Sequence, residues 1–526
     1  MKVLIAEKIA EEGISFLKGK GVDVTIGYDL SREDLLDVIS QYDGLIVRSV
    51  TKVDEALYEK GTQLKVIGRA GNGVDNIQME GATKRGIIIV NTPDANTVSA
   101  AEHTIALMLS MSRHVPLANE SIKNKVWDRS PFRGVELKGK TLGIIGLGRI
   151  GTMVAKRMAA FEMQVIAYDP YIPAEQFEKA GVKAYQNLDE LVAISDFISV
   201  HTPKTAETTG IINKSHFAIA KKGLRIVNCA RGGIIDEKAL YEAIQIGIVA
   251  GAAIDVLKDE PHAISPLLDL KETVITPHLG ADTVEAQKNV GETVAVEVYE
   301  ALCGQLVTNA VNLPSLSAHD LKRIRPYLTL AEMLGAFYHQ MNKAPVQKVE
   351  IIYKGDASEL KTDLLLSAFI KGLYRDVLSD GVNYVNARHI ASSRGVQILE
   401  GKESKLGDYH HAIEATLSTD DGQFKIEGAL FGKDEPRVVS LNGYSFDLFP
   451  TGPMLLVENI DRPGMIGKIG EILGRAEVNI ATMNVSLNRT KRAAMMLLKI
   501  DQPITSQAMK ELKEADGITR VWPLQF

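Results

Sequence analysis

Residues 141–169 read TLGIIGLGRIGTMVAKRMAAFEMQVIAYD. The apolar run 142–145 leads into Gly146-x-Gly148-x-x-Gly151, apolar residues then recur at Val154, Met158 and Phe161, and a second apolar run ends at Asp169. This order predicts strand, tight turn, helix and strand, with an acid closing the second strand. Gly146 permits the turn, Gly148 lets an anion approach the backbone, and Gly151 lets helix and strand pack closely. The amides that open the helix, at Arg149 and Ile150, suit a pyrophosphate. Asp169 suits the adenosine ribose hydroxyls and would repel a 2′-phosphate, which favours NAD over NADP. The alternative is a glycine-rich turn with no ligand; strand, helix and acid arriving in order weigh against it.

Around this stretch lie 526 residues, enough for several domains. A composition of 45% hydrophobic and 24% charged residues with net charge −6 is that of an ordinary globular protein without a basic nucleic-acid surface. Met1-Lys2 runs straight into VLIA without a cleavage-site pattern, so no signal peptide is expected. The most apolar helical stretch, 99–111, contains Glu102 and His103 and falls short of a membrane span. Two cysteines, Cys229 and Cys303, make no disulfide framework and fit a reducing cytoplasm. No cysteine–histidine cluster has metal-ligand spacing, so no metal is expected.

Strand and helix signals alternate from the start: strands at 3–6, 22–27, 44–48, 64–68 and 87–90, and helices at 7–18 and 31–39, the second capped by Ser31. Such alternation implies a parallel sheet covered on both faces. Ligands sit at the carboxyl ends of such strands. Arg48-Ser49 follows one strand, and Arg69-Ala70-Gly71-Asn72-Gly73 follows another. Guanidinium forks there suit a carboxylate or phosphate, and Asn72 and Gly73 offer amide donors. Surface ion pairing and a purely geometric turn are the alternatives. A long helix is expected over 98–113, as a hinge into the nucleotide-binding run. The polar, aromatic stretch 114–140, with Trp127 and Arg129, reads as an arm across a partner subunit or a covering loop.

Beyond Asp169, further strands end at His201-Thr202-Pro203, at Cys229-Ala230-Arg231-Gly232-Gly233, at Asp255 with Glu260-Pro261 close behind, and at Pro277-His278-Leu279-Gly280. Arg231, Glu260 and His278 thus converge on one crevice. Their chemistry is complementary. Arg231 can clamp a substrate carboxylate, and His278 can take and return a hydroxyl proton. Glu260 can hold the other imidazole nitrogen. Singly, each is as readily a loop or surface residue; together, behind a nucleotide fold, they suit a 2-hydroxy-acid dehydrogenase. A second long helix, 284–303, would carry the chain back to the first domain and complete a hinge for cleft closure.

The segments RAGNGVDNI (69–77), GLGRIG (146–151), NCARGG (228–233), DVLKDEP (255–261) and TPHLGA (276–281) together resemble the D-2-hydroxyacid dehydrogenase family, and within it the long phosphoglycerate dehydrogenases, along the whole chain. The resemblance implies Arg231, Glu260 and His278 as the catalytic set. It implies NAD contacts from Gly146, Gly148, Arg149, Ile150, Gly151, Asp169, His201, Thr202, Pro203, Cys229, Ala230, Asp255 and Gly280, with Asp255 meeting the nicotinamide carboxamide. It implies substrate contacts from Arg48, Ser49, Arg69, Asn72, Gly73 and Arg129, the last reaching a neighbouring subunit's site. The implied reaction is NAD-dependent oxidation of D-3-phosphoglycerate to 3-phosphohydroxypyruvate, which opens phosphorylated L-serine synthesis. Another D-2-hydroxy acid, or a non-catalytic NAD-responsive regulator, is the alternative.

The expected fold is α/β: a Rossmann-like nucleotide domain (99–291) inserted in a flavodoxin-like substrate domain (1–98 and 292–316). An α+β intervening domain (317–452) and a ferredoxin-like ACT domain (453–526) follow. In the third segment, 317–337 starts a helix, 347–353 is a strand, 359–378 a helix, and 412–419, 423–430 and 438–449 are strands. The last segment reads βαββαβ. Its resemblance to ACT domains implies L-serine contacts from Asn459, Asp461 and Asn479, although Asn459 stands where relatives often carry histidine or an aromatic residue. ACT domains also serve as assembly modules, so a homodimer or homotetramer is expected.

Overall fold

The computed structural model describes residues 1–526 apart from 263, 376, 379, 380, 404–408, 410, 433 and 489–491. Its first sheet is built from short apolar runs: β1 (Lys2–Ile5), β2 (Asp23–Ile26), β3 (Gly44–Val47), β4 (Val66–Arg69) and β5 (Ile88–Val90). They lie in the order β2-β1-β3-β4-β5 with every pairing parallel, the flavodoxin-like arrangement. Strand β3 is buried throughout, as a parallel strand covered on both faces must be.

The second sheet comprises β6 (Thr141–Ile145), β7 (Gln164–Tyr168), β8 (Lys183–Ala184), β9 (Phe197–Val200), β10 (Leu224–Asn228), β11 (Val249–Ile254) and β12 (Thr273–Ile275). The order β12-β11-β10-β9-β6-β7-β8 is again all parallel, and chain direction across the sheet reverses between β6 and β9. Such a reversal opens a crevice at the carboxyl ends of the strands.

Two long helices connect these sheets. Thr97–Ser112 buries Ala101, Leu107, Met108 and Met111 in the core of the second sheet. Val284–Leu302 returns to the first, where Val290, Val294, Ala295 and Val298 pack with Val3, Ile5 and Ile46. The approach is close: a Cβ on Gly13 would lie 2.3 Å from the Gly291 carbonyl oxygen.

The third sheet contains β13 (Lys348–Gly355), β14 (Gln397–Glu403), β15 (His411–Thr419), β16 (Gly422–Phe431), β17 (Glu435–Leu441) and β18 (Tyr444–Leu448), in the order β14-β13-β15-β16-β17-β18. Helices Ala318–Met341 and Thr362–Tyr374 cover it and meet through glycines: a Cβ on Gly335 would lie 2.0 Å from the Phe369 carbonyl oxygen. The last sheet, β19 (Pro453–Ile460), β20 (Ile480–Asn488), β21 (Ala493–Ile500) and β22 (Ile518–Gln525), has the ferredoxin-like order β20-β21-β19-β22. One of its faces joins the core beneath Ala318–Met341 through Met454, Leu456, Met495, Leu497 and Leu524. Among the described residues, no helix is long and apolar enough to cross a membrane.

Five local expectations change. The helix expected over 7–18 is Glu11–Gly19, because Glu7 is taken by the neighbouring loop: its carboxylate accepts from the amides of Arg48, Val50 and Thr51. The stretch 114–140 contains a helix, Val115–Lys123, with proline in its first turn and no buried residue. The single strand expected over 438–449 is a hairpin, turning at Asn442-Gly443, where φ is 49° and 85°. Strand β14 has no counterpart in the sequence reading, and its burial shows no regular alternation. The helix expected over 359–378 is Thr362–Tyr374, and residue 376 lies outside the described residues.

Candidate active site

The carboxyl ends of the first two sheets face each other across a cleft of about 1020 Å³. On the nucleotide side, each motif glycine has a separate task. Gly146 has φ 90°, and a Cβ there would sit 2.7 Å from the His201 carbonyl oxygen. A Cβ on Gly151 would sit 2.2 Å from the Gly146 carbonyl oxygen, so only glycine lets the helix lie against the strand. Gly148 has open space before it and caps helix Arg149–Ala160 without a side-chain bond, which leaves the first-turn amides to an anion. Asp169 is fixed at the end of β7 by accepting from the amides of Leu147 (2.9 Å) and Tyr171 (3.0 Å). Open amides beside a fixed carboxylate fit a pyrophosphate and a ribose diol, so NAD fits this groove.

Loops after β10, β11 and β12 bring Arg231, Glu260 and His278 to the same cleft. Glu260 Oε1 accepts from the Leu257 amide at 2.9 Å, and Oε2 lies 2.8 Å from His278 Nδ1. A carboxylate only accepts, so Nδ1 carries the proton and Nε2 is left for the cleft. His278 itself is left-handed, with φ 57°, an uncommon conformation for a residue with a Cβ. Its amide is held there by the carbonyl oxygen of Asp255 at 2.8 Å. Arg231 donates through Nε to Asp75 (3.1 Å) and through Nη1 to the Ala230 carbonyl (2.7 Å). Its Nη2 lies across Gly73, where any Cβ would be 1.8 Å away, so Gly73 makes room for the guanidinium.

Three arginines meet here. Burial, together with the charges of Arg231 and Arg48, pushes Arg69 down to about 10. Its Nε has no partner among the described residues, and a Cβ on Gly71 would collide with its Nη1 at 1.6 Å. Arg48 donates to the Lys8 carbonyl at 3.2 Å, Ser49 lines the cleft, and Asn72 accepts at its carbonyl from the Asn91 side chain at 2.7 Å. Arg129 is not among the cleft-lining residues.

The remaining expected cofactor residues form one wall. Ile150, Thr202, Pro203 and Ala230 line it. His201 bonds to Ser199 Oγ at 2.8 Å, and burial pulls its pKa down to about 4, so the ring is neutral near pH 7. Burial pushes the Cys229 thiol up to about 12. Asp255 also lies among the cleft-lining residues. Its side chain is 0% exposed. Its Oδ1 is met by His103 Nε2 (3.1 Å), Thr276 Oγ1 (2.6 Å) and the Leu279 amide (2.7 Å), and Oδ2 by the Gly280 amide (2.8 Å). The carboxylate is therefore engaged with protein donors and holds the His278 loop in shape. His103 and Thr276 were missed in the sequence. Thr276 stands in the TPHLGA segment, where nothing local names its partner, and a lone histidine on an amphipathic helix carries no signal until the helix is docked.

In the last unit, Asn459 is only 1% exposed and turns its Nδ2 onto the Ile460 carbonyl oxygen at 2.8 Å. Asp461 and Asn479 are exposed. The fold thus does not present Asn459 on the surface that carries the other two.

Residues 105–280 match the model of the D-isomer specific 2-hydroxyacid dehydrogenase NAD-binding domain, 323–442 that of the D-3-phosphoglycerate dehydrogenase intervening domain, and 454–517 that of the ACT domain. A D-3-phosphoglycerate dehydrogenase of Methanocaldococcus jannaschii is 44% identical over 521 residues, covering 99% of both chains. The chain belongs to the D-3-phosphoglycerate dehydrogenase family. The family member of Bacillus subtilis is 40% identical, over 99% of this chain and 98% of its own. A D-lactate dehydrogenase of Aquifex aeolicus, solved with NAD and lactic acid, matches with TM-score 0.53 and 28% identity over 60% of this chain and all of its own. Family membership and an NAD-binding domain bear out the sequence reading of family, fold class and cofactor.

Proposed function

We propose that the chain oxidises D-3-phosphoglycerate to 3-phosphohydroxypyruvate, the first step of phosphorylated L-serine synthesis. The observation that carries this reading is the Glu260–His278 pair, which leaves Nε2 facing a cleft that also holds Arg231. Bound NAD supplies the hydride acceptor. Arg231 holds the substrate carboxylate and polarises the oxygen at C2. His278 Nε2 takes the hydroxyl proton as hydride leaves C2, and Glu260 stabilises the imidazolium that forms. Arg48 and Arg69 take the phosphate; a buried guanidinium with an unpartnered Nε has strong reason to bind an anion. Asp255 acts through the loop shape. Arg129, on an exposed segment with Trp127, serves a neighbouring subunit in a homodimer or homotetramer. The reading includes a cytoplasmic location. It gives the ACT unit mainly an assembly role, with L-serine as the effector to test.

Purified protein should reduce NAD with D-3-phosphoglycerate when the keto acid product is trapped. Turnover of a non-phosphorylated 2-hydroxy acid, with none of D-3-phosphoglycerate, would overturn the substrate. Binding of NAD without any turnover would return the chain to a regulatory reading. Titration with L-serine, following rate and binding together, tests the effector.

A further inference from the structure

Two arginines at the cleft are held in the same unusual way. Arg149 opens the helix that presents amides to the pyrophosphate groove, and its Nε meets Asp94 Oδ1 at 2.5 Å. Arg231 stands at the substrate end, and its Nε meets Asp75 Oδ2 at 3.1 Å. Both arginines follow strands of the seven-stranded sheet; both aspartates follow strands of the five-stranded sheet. Each ion pair therefore bridges the cleft. In each, the carboxylate lies against Nε, as an ion pair for Arg149 and as a hydrogen bond for Arg231, and leaves terminal nitrogens over. Beyond this ion pair Arg149 has no hydrogen-bond partner among the described residues, and Arg231 Nη2 lies open across Gly73.

We infer that Asp94 and Asp75 are positioning residues that aim the forks of Arg149 and Arg231 at the two ligand anions, and do so only when the two sheets approach. Guanidinium is planar with five donors, so an acceptor on Nε fixes the plane and still leaves a fork for phosphate or carboxylate. An arginine side chain otherwise carries considerable rotamer entropy into binding. Because each aspartate lies on the opposite side of the cleft from its arginine, the forks are preset by closure itself, and ligand binding and closure favour each other. The inference for Arg231 rests on the proposed reaction; that for Arg149 rests only on NAD binding.

The sign of the effect makes the test sharp. Removing a negative charge near an anion site tightens anion binding by Coulomb's law alone. Losing a positioned fork weakens it. Both pairs are partly exposed, with side chains 60% and 67% exposed for Arg149–Asp94 and 26% and 54% for Arg231–Asp75, so the effects are modest. In titration calorimetry, D94N should raise the Kd for NAD about two- to fivefold, the range of an exposed ion pair. D94E should restore it, and D94N should have no further effect on an R149Q background. D75N should raise the Kd for D-3-phosphoglycerate in the presence of NADH by a similar factor while leaving the NAD Kd unchanged. Unaltered or tighter NAD binding in D94N, with an unchanged melting temperature, overturns the inference for Asp94; the same result with phosphoglycerate in D75N overturns it for Asp75. A wild type that binds NAD but does not turn over D-3-phosphoglycerate would remove the proposed reaction, and the D94N arm would still stand or fall alone.

Discussion

His278 and His103 each meet a carboxylate, at 2.8 Å from Glu260 and 3.1 Å from Asp255. The first pair is open, with side chains 43% and 37% exposed; in the second they are 19% and 0% exposed. Glu260 has one anchor to the backbone and gives its other oxygen to the imidazole. Asp255 is met by four protein donors. The same two groups thus do different work. In the open pair, a proton can pass between the cleft and Nε2, and the carboxylate accommodates the charge. In the enclosed pair, the bonds from the Thr276 hydroxyl and the Leu279 and Gly280 amides shape the loop that carries His278. Exposure and the number of protein donors separate the two pairs.

Substitutions can break this contrast or sharpen it. The largest effect belongs to H278N, which should lower kcat by about 10³-fold, with the NAD Kd unchanged in calorimetry. D255N should act on stability first. Removing an enclosed anion from its donors costs about 3 kcal/mol, or roughly 6–12 °C in melting temperature. Burial pushes the Asp255 carboxyl up, but bonds from His103, Thr276 and the Leu279 amide outweigh it and hold its pKa below the ordinary carboxylate value. Its stabilisation is therefore present above the unfolded value, near pH 4, and lost as pH falls through the folded one. Urea melts in acid should show a shallower pH slope for D255N than for wild type. E260Q should leave the melting temperature alone while lowering kcat about a hundredfold; a matched fall in stability would erase the distinction between the pairs. The smallest effect extends the contrast to thiols. Iodoacetamide at pH 8 should label exposed Cys303 and spare Cys229, whose thiol is pushed up to about 12, leaving turnover intact.

Legibility followed the same line. The glycine run, Asp169, Arg231, Glu260 and His278 stand in motifs at strand ends, so their placement at the carboxyl ends of the strands is legible from local sequence. The flavodoxin-like and Rossmann-like sheets followed from alternation of short apolar runs with helices. What escaped was contact between distant segments. Glu7 was read as helix although it ties down the Arg48 loop. The enclosure of Asn459, which is 1% exposed, comes from packing that its local sequence does not reveal.

The sequence alone determined a dinucleotide-binding unit and placed a glutamate, a histidine and arginines at strand ends, because each stands among a few neighbouring residues with restrictive spacing. Only the tertiary structure decided which carboxylate serves which partner. Asp255 and Glu260 are five positions apart, yet one is enclosed by the Thr97–Ser112 helix and the 276–280 loop, and the other opens on the cleft. Asp75 and Asp94 acquire meaning only when a second sheet brings arginines within reach. Hydrogen bonding and desolvation depend on distances across space, and spacing along the chain does not fix those.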